Sequence, residues 1–287
     1  MVFRIYFILS IALLSVSSTS LVIRYLPLVP ALTLAFWRML IASIILWVYS
    51  LLTKTVPLTN KANRTTMFAG VFLGLHFACF FWGVRNTSIA NATLLANTGP
   101  LFTVGLTYLK EKKISKNLIL PLLITVFGVL IIQWTDLNFF ENNPMGNIVS
   151  LFSGFCIANT YLLAKEVRKN NSTLAYGRSL FFYAAITIGF ICLIKHVSIF
   201  DFNFNHIVWF LFLGVVPSIL GHNSLNYTLK FLSPTTVATI PLGEPIIATG
   251  LALILFSEKI PLNYLVGAPF VFIGIFLIVK KSINKAY

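Results

Sequence analysis

One acid in this sequence sits where an acid is hardest to keep. Glu244 lies in Pro241-Leu242-Gly243-Glu244-Pro245, near the middle of an apolar run from 235 to 256. An ionisable side chain at bilayer depth is costly unless it is paired or faces water, so each one marks a functional candidate. Neither proline donates a helix hydrogen bond and Gly243 adds backbone freedom, so the helix is expected to break here and free local carbonyls. A matching break is expected at Asn97-Thr98-Gly99-Pro100. Helix breaks at corresponding places in two halves of a chain are the best sequence pointer to a carrier's binding site. Glu244 is therefore the first candidate for holding substrate or a proton, against the alternative that it only caps the break.

Other polar residues share that depth. His76 lies near the centre of its run, and His222 and Asn226 lie one turn apart in theirs. Asn159 and Tyr161 flank Thr160 in a polar band, matched in the first half by Ser17, Ser18 and Thr19. With Asn97 these are candidate lining residues, although hydrogen bonds between helices, worth about 1 kcal/mol, would use the same residue types for packing. Arg38 stands nearer the outer end of its run and is expected to snorkel outward, mirrored on the inner side by Arg178. Both are assigned structural or orienting roles, as are Gly99, Pro100, Gly243 and Pro245, which shape the breaks. Gly70 and Gly74 form a GxxxG pair, which permits close helix contact.

Chemistry of other kinds finds little support. The seven acids, Glu111, Asp136, Glu141, Glu166, Asp201, Glu244 and Glu258, are scattered singly, so no two make an argued metal site. Cys79, Cys156 and Cys192 fall in apolar segments with no CxxC and no histidine at ligand spacing, which argues against both zinc and disulfides. No Walker motif is present, so direct ATP drive is excluded and no cofactor is called for. An integral-membrane enzyme acting on lipid-linked substrates is the alternative class. It would want clustered acids, or an acid and base near the headgroups.

The elements that must position these residues follow from composition. Of 287 residues 58% are hydrophobic and 10% charged, where a soluble globular chain has about 25% charged. Lipid is the solvent for most of the chain. The net charge of +14 would suggest nucleic acid in a soluble protein. Here the basic residues form short clusters between apolar runs, so anionic headgroups and cytoplasm are their partners, and nucleic acid is not.

Ten runs are long enough to span, at 3–23, 31–52, 67–86, 89–109, 118–135, 147–165, 174–194, 206–228, 235–256 and 262–279. The first is read as a retained span and not as a removed signal peptide. Sixteen Lys and Arg fall on one side of this arrangement and four, Arg24, Arg85, Lys195 and Lys259, on the other. By the positive-inside bias both termini are cytoplasmic.

The chain also resembles itself. Leu34-Ala35-Phe36-Trp37-Arg38 reads against Leu174-Ala175-Tyr176-Gly177-Arg178, and Pro100, Gly105 and Leu106 against Pro245, Gly250 and Leu251. Glu111-Lys112 then matches Glu258-Lys259, and Ile114, Asn117 and Gly128 match Ile260, Asn263 and Gly274. Order is kept and the offset drifts only between 140 and 147. This predicts an all-α integral membrane fold of ten transmembrane helices in two five-helix repeats, at 1–135 and 147–281. Five is odd, so the second copy enters the membrane from the opposite face, an inverted repeat.

Two five-helix halves, Phe36-Trp37-Arg38, the stretch from Pro100 to Glu111, and its partner from Gly243-Glu244-Pro245 to Glu258-Lys259 resemble the EamA group of the drug/metabolite transporter superfamily. The resemblance covers nearly the whole chain. It implies a ten-helix carrier of the cytoplasmic membrane with a central cavity, no ATP-binding domain and a small-molecule substrate. Members that look this similar move amino acids, nucleotide-like metabolites, amines or sugars. One departure is that Gly99-Pro100 stands where the second half has Glu244-Pro245, so only one half supplies a mid-membrane acid. The expected function is a secondary carrier for a small polar metabolite, driven by protons through Glu244 or by the substrate's own gradient.

Overall fold

The computed structural model describes residues 2–112, 116–134, 143–257 and 260–286. Asp136, Glu141, Asn142, Glu258 and Lys259, with Lys113 and Ile114, lie outside the described residues. Among the described residues every regular element is helical. The first half carries α1 (Val2–Ser17), α2 (Thr19–Tyr25), α3 (Ala31–Leu52), α4 (Asn60–Asn86), α5 (Ile89–Ala96), α6 (Gly99–Glu111) and α7 (Lys116–Gln133). The second carries α8 (Pro144–Arg168), α9 (Thr173–Ile194) and α10 (Ile207–Leu213), which runs through a π-helical stretch, Gly214–Asn223, into α11 (Ser224–Thr228). Then come α12 (Pro234–Thr239), a 3-10 turn at Ile240–Gly243, α13 (Glu244–Phe256) and α14 (Leu262–Ala286).

Polar residues between the apolar runs start these helices by capping free N–H groups. The side chains of Thr59, Ser88, Asn143, Ser172 and Ser233 each accept a hydrogen bond from a backbone N–H two or three residues on. Each such cap is worth about 1 kcal/mol.

Among the described residues nine stretches are long and apolar enough to cross a membrane. The expected run 89–109 is not one of them, because it is divided into α5 and α6. Eight and thirteen residues, at 1.5 Å each, fall short of a hydrocarbon core about 30 Å thick. Gly99-Pro100 causes the division. Pro100 stands in the first turn of α6, where its missing N–H costs nothing, and Thr98 turns its hydroxyl back onto Leu95 O at 2.6 Å. The first run also breaks, between α1 and α2, where Ser17 and Ser18 bond Leu13 O and Ser15 O at 2.7 Å each. Short hydroxyl side chains compete with the helix for its own carbonyls in this way.

Large apolar side chains face outward, among them Leu52, Phe190, Leu193, Ile254 and Leu262, all exposed. Small ones face inward. The GxxxG expectation holds: a Cβ on Gly70 would meet Leu180 O of α9 at 2.9 Å, and one on Gly74 would meet Ala184 O at 2.8 Å. A second close approach joins α7 to α14. There a Cβ on Gly128 would lie 2.8 Å from Gly267 O, and one on Gly274 would lie 2.8 Å from Pro121 O. Elsewhere α4 packs on α8 and α9, while the π-helical stretch packs on α1 and α3.

Helix side chains tie down two of the loops. Trp37 donates from Nε1 to Ile199 O at 2.7 Å and Thr33 bonds Ser198 O at 2.9 Å, both on the segment after α9. Arg85 reaches Pro27 O at 2.8 Å and Val29 O at 3.3 Å, fixing the turn between α2 and α3.

Candidate functional site

Both helix breaks open onto one cavity. Ala96, Asn97, Gly99 and Pro100 contribute from the break between α5 and α6, and Ala238, Pro241 and Glu244 from that between α12 and α13. The walls between them are Val16 of α1, Thr19 of α2, Arg38 of α3, His76, Phe77 and Phe80 of α4, Ile157 and Tyr161 of α8, and His222. With its open mouth included the cavity encloses ≈ 580 Å³ not filled by protein atoms.

Of the sequence candidates, Glu244, His76, Asn97, Tyr161 and His222 all line this cavity, as do Gly99 and Pro100. His76 is fixed by α8: its Nδ1 lies 2.8 Å from Ser153 Oγ and 3.0 Å from Ser153 O, and Ser153 Oγ bonds His76 O at 3.1 Å. His222 sits edge-on to Phe77, with ring centres 5.2 Å apart.

Arg38 departs from expectation. It is 1% exposed and does not snorkel outward; it lines the cavity. Its Nε donates to Ser218 Oγ at 2.9 Å and its guanidinium carbon lies 4.4 Å from the Phe77 ring centre. Its Nη2 is buried without a hydrogen-bond partner. Arg38 stands seven residues inside α3, about 10 Å along the axis from its start at 1.5 Å per residue, which is too deep for its stem to reach the surface. The receiving Ser218 is set by the π-helical stretch, since its hydroxyl bonds Leu213 O, five residues back, at 2.8 Å.

The remaining candidates stand elsewhere. Asn159 turns its amide onto Phe155 O of its own helix at 2.9 Å and is not among the lining residues. Asn226 is buried away from the cavity, where its carbonyl accepts from Arg168 Nε at 3.2 Å. Arg178 lies outside the cavity, where it bonds Ser50 Oγ and places its guanidinium carbon 4.2 Å from the Trp47 ring centre. Gly243 and Pro245 adjoin the lining without entering it; a Cβ on Gly243 would meet Leu13 at 2.9 Å. Sequence reasoning missed the aromatic wall of Phe77 and Phe80. Phe80, four residues on from His76, shares its helix face, and that spacing was the available signal; Phe77, adjacent in the chain, carried none.

Tyr161 is 2% exposed and its hydroxyl is buried with no partner. An unpaired buried hydroxyl costs on the order of 1 to 3 kcal/mol. Tyr161→Phe should therefore leave the thermal midpoint unchanged or higher in detergent.

Residues 3–134 and 144–280 each match the EamA-like transporter family. An uncharacterized transporter of Archaeoglobus fulgidus is 24% identical over 220 residues, covering 76% of this chain and 77% of that protein. The pseudopaline exporter CntI of Pseudomonas aeruginosa is 24% identical over 211 residues, covering 73% and 72%. A protein crystal structure superposes with a TM-score of 0.79 over 98% of each chain at 13% identity, a likeness of fold. Matched in both halves and built around one cavity at two helix breaks, the chain belongs to the EamA-like transporter family.

Proposed function

We propose that the protein is a secondary carrier that moves a small polar metabolite across the cytoplasmic membrane, with Glu244 binding substrate or a proton. The observation that supports this reading is a cavity lined by both breaks, with Glu244 and Arg38 on its wall. Energy comes from a proton gradient through Glu244, or from the substrate's own gradient by exchange or facilitated diffusion.

The proposed architecture is ten spans, α5 and α6 together forming the fourth, in two inverted repeats at 1–135 and 147–281. Reciprocal contacts support it. Gly128 approaches Gly267 and Val271, and Gly274 approaches Pro121 and Thr125. Subtracting the offset of 146 from 267, 271 and 274 gives 121, 125 and 128. Contacts that exchange in this way are what a two-fold axis between α7 and α14 requires.

The charge bias puts both termini in the cytoplasm, and reporter fusions test this. A fusion after Lys116 or Arg168 should report cytoplasm, and one at Asn142 the outside. An inside signal at Asn142 removes the ten-span inverted arrangement. For the transport reading, the test is substrate exchange by purified protein in proteoliposomes over amino acids, nucleosides, amines and sugars, with and without an imposed pH gradient.

A further inference from the structure

The break between α5 and α6 has a second cavity behind it. Leu94, Pro100 and Leu101 line it from α5 and α6, Val126 and Val129 from α7, and Leu242 from the 3-10 turn. Asn97 and Pro100 border both this space and the central cavity, so the break is the partition between them. With its open mouth included the space encloses ≈ 280 Å³ not filled by protein atoms. Leu101 is 46% exposed, on the lipid-facing surface that Leu123 and Phe127 of α7 continue, whereas Leu242 is 3% exposed. The cavity therefore runs inward from the lipid side.

Depth and wall chemistry narrow what can fill it. Val126 stands ten residues from the start of α7, about 15 Å at 1.5 Å per residue, which is the middle of a hydrocarbon core about 30 Å thick. Headgroups do not reach that level. No charged residue is among those lining the space, and Thr98 spends its hydroxyl on Leu95 O at 2.6 Å. Water needs two or more polar partners to stay in such a place, and a void forfeits the dispersion contacts of every side chain around it.

The other repeat meets the same need with its own side chains. At the offset of 146 that relates Gly128 to Gly274, Val126 corresponds to Phe272 and Val129 to Ile275. Ile275 Cδ1 lies 3.5 Å from where a Cβ on Gly243 would stand, against the second break. Both first-half residues are smaller. Val129 and Leu242 belong to one apolar cluster, with Leu94 packed on it, so whatever extends this cluster outward has to be apolar as well.

We propose that this cavity binds one acyl chain of a bilayer phospholipid, which enters past Leu101, ends against Leu242 and backs the first break where the second half uses Ile275 and Phe272. The tail is a resident ligand and not cargo. Because Asn97 and Pro100 border both spaces, it bears on the same break that shapes the central cavity.

The test is photolabelling of the full chain in phosphatidylethanolamine and phosphatidylglycerol vesicles, doped with a phosphatidylcholine that carries a diazirine in the terminal half of one acyl chain. Light expels dinitrogen, the carbene left behind inserts into a neighbouring C–H bond, and fragment spectra assign the adduct to a residue. Leu242 should be labelled, because it is buried and borders this cavity and not the central one. A probe with its diazirine beside the ester should leave it unlabelled. Val126→Phe combined with Val129→Ile copies the second half and should lower the Leu242 yield about fivefold or more, while label on the lipid-facing Ile186 of α9 stays the same. No adduct at Leu242 in wild type overturns the proposal, as does an equal yield in the double variant. Label on Phe77 as strong as that on Leu242 also overturns it, because Phe77 lines the central cavity and a tail found there is not held behind the break. If the double variant is not monodisperse on size exclusion, the two probe positions on wild type decide, and equal yields at Leu242 from both sink the assignment. No step of this measurement depends on transport, so its failure leaves the carrier reading where it was.

Discussion

Glu244→Gln should reduce concentrative uptake to the level of empty vesicles while leaving a monodisperse, membrane-inserted protein. Gln keeps the size and one carbonyl oxygen of Glu, so the start of α13 and its packing stay filled. What it loses is the charge and the exchangeable proton, and every role proposed for this residue needs one or the other. Counterflow in the same vesicles separates the roles. A proton carrier without its acid still swaps substrate across the membrane, because exchange needs no net proton movement. A carboxylate that binds the substrate itself loses affinity outright, so exchange falls as well. Normal uptake and normal counterflow together would make Glu244 a structural residue of the break.

The second large effect belongs to packing. Gly274→Leu should destabilise the protein by on the order of 3 kcal/mol or more, since overpacked sites that meet rigid neighbours sit at the upper end of such costs. The first atom of the new side chain would meet Pro121 O and Thr125 N, both at 2.8 Å. Those are backbone atoms and cannot rotate aside, so α7 and α14 would have to separate. The measurement is the thermal midpoint by fluorescence-detected size exclusion. Gly250→Leu is the control, because a Cβ there has nothing within 4 Å, and the same holds at Gly105. Equal midpoints for Gly274→Leu and wild type would show that the α7 and α14 contact is not tight.

Much of this was legible from residue type and depth alone. Long apolar runs name the solvent, and Pro100 and Pro241 with Pro245 name the places where helices break, because a missing N–H acts locally. Glu244, His76, His222, Tyr161 and Asn97 reach the cavity as mid-span polarity suggests. Direction around a helix was harder. Asn159 and Tyr161 were read as one band, yet residues two apart do not share a helix face, and only Tyr161 faces the cavity. Arg38 differs for another reason. The nearer end of its run suggests snorkelling, but seven residues, about 10 Å at 1.5 Å each, separate Arg38 from the start of α3. The split of 89–109 into two short helices has the same origin as the break it contains, and hydropathy, averaged over a window, does not register it.

The π-helical stretch at Gly214–Asn223 sets a phase. In an α-helix each residue turns the chain by about 100°, from 3.6 residues per turn, whereas the wider turns here advance it more slowly. Ser218 holds that setting by bonding Leu213 O and, through the same hydroxyl, receives Arg38. Drawing one turn back to α geometry would rotate all that follows it and carry His222 away from the wall it now shares with Phe77. The angular register of this helix and the orientation of the buried guanidinium are therefore one variable, read at Ser218.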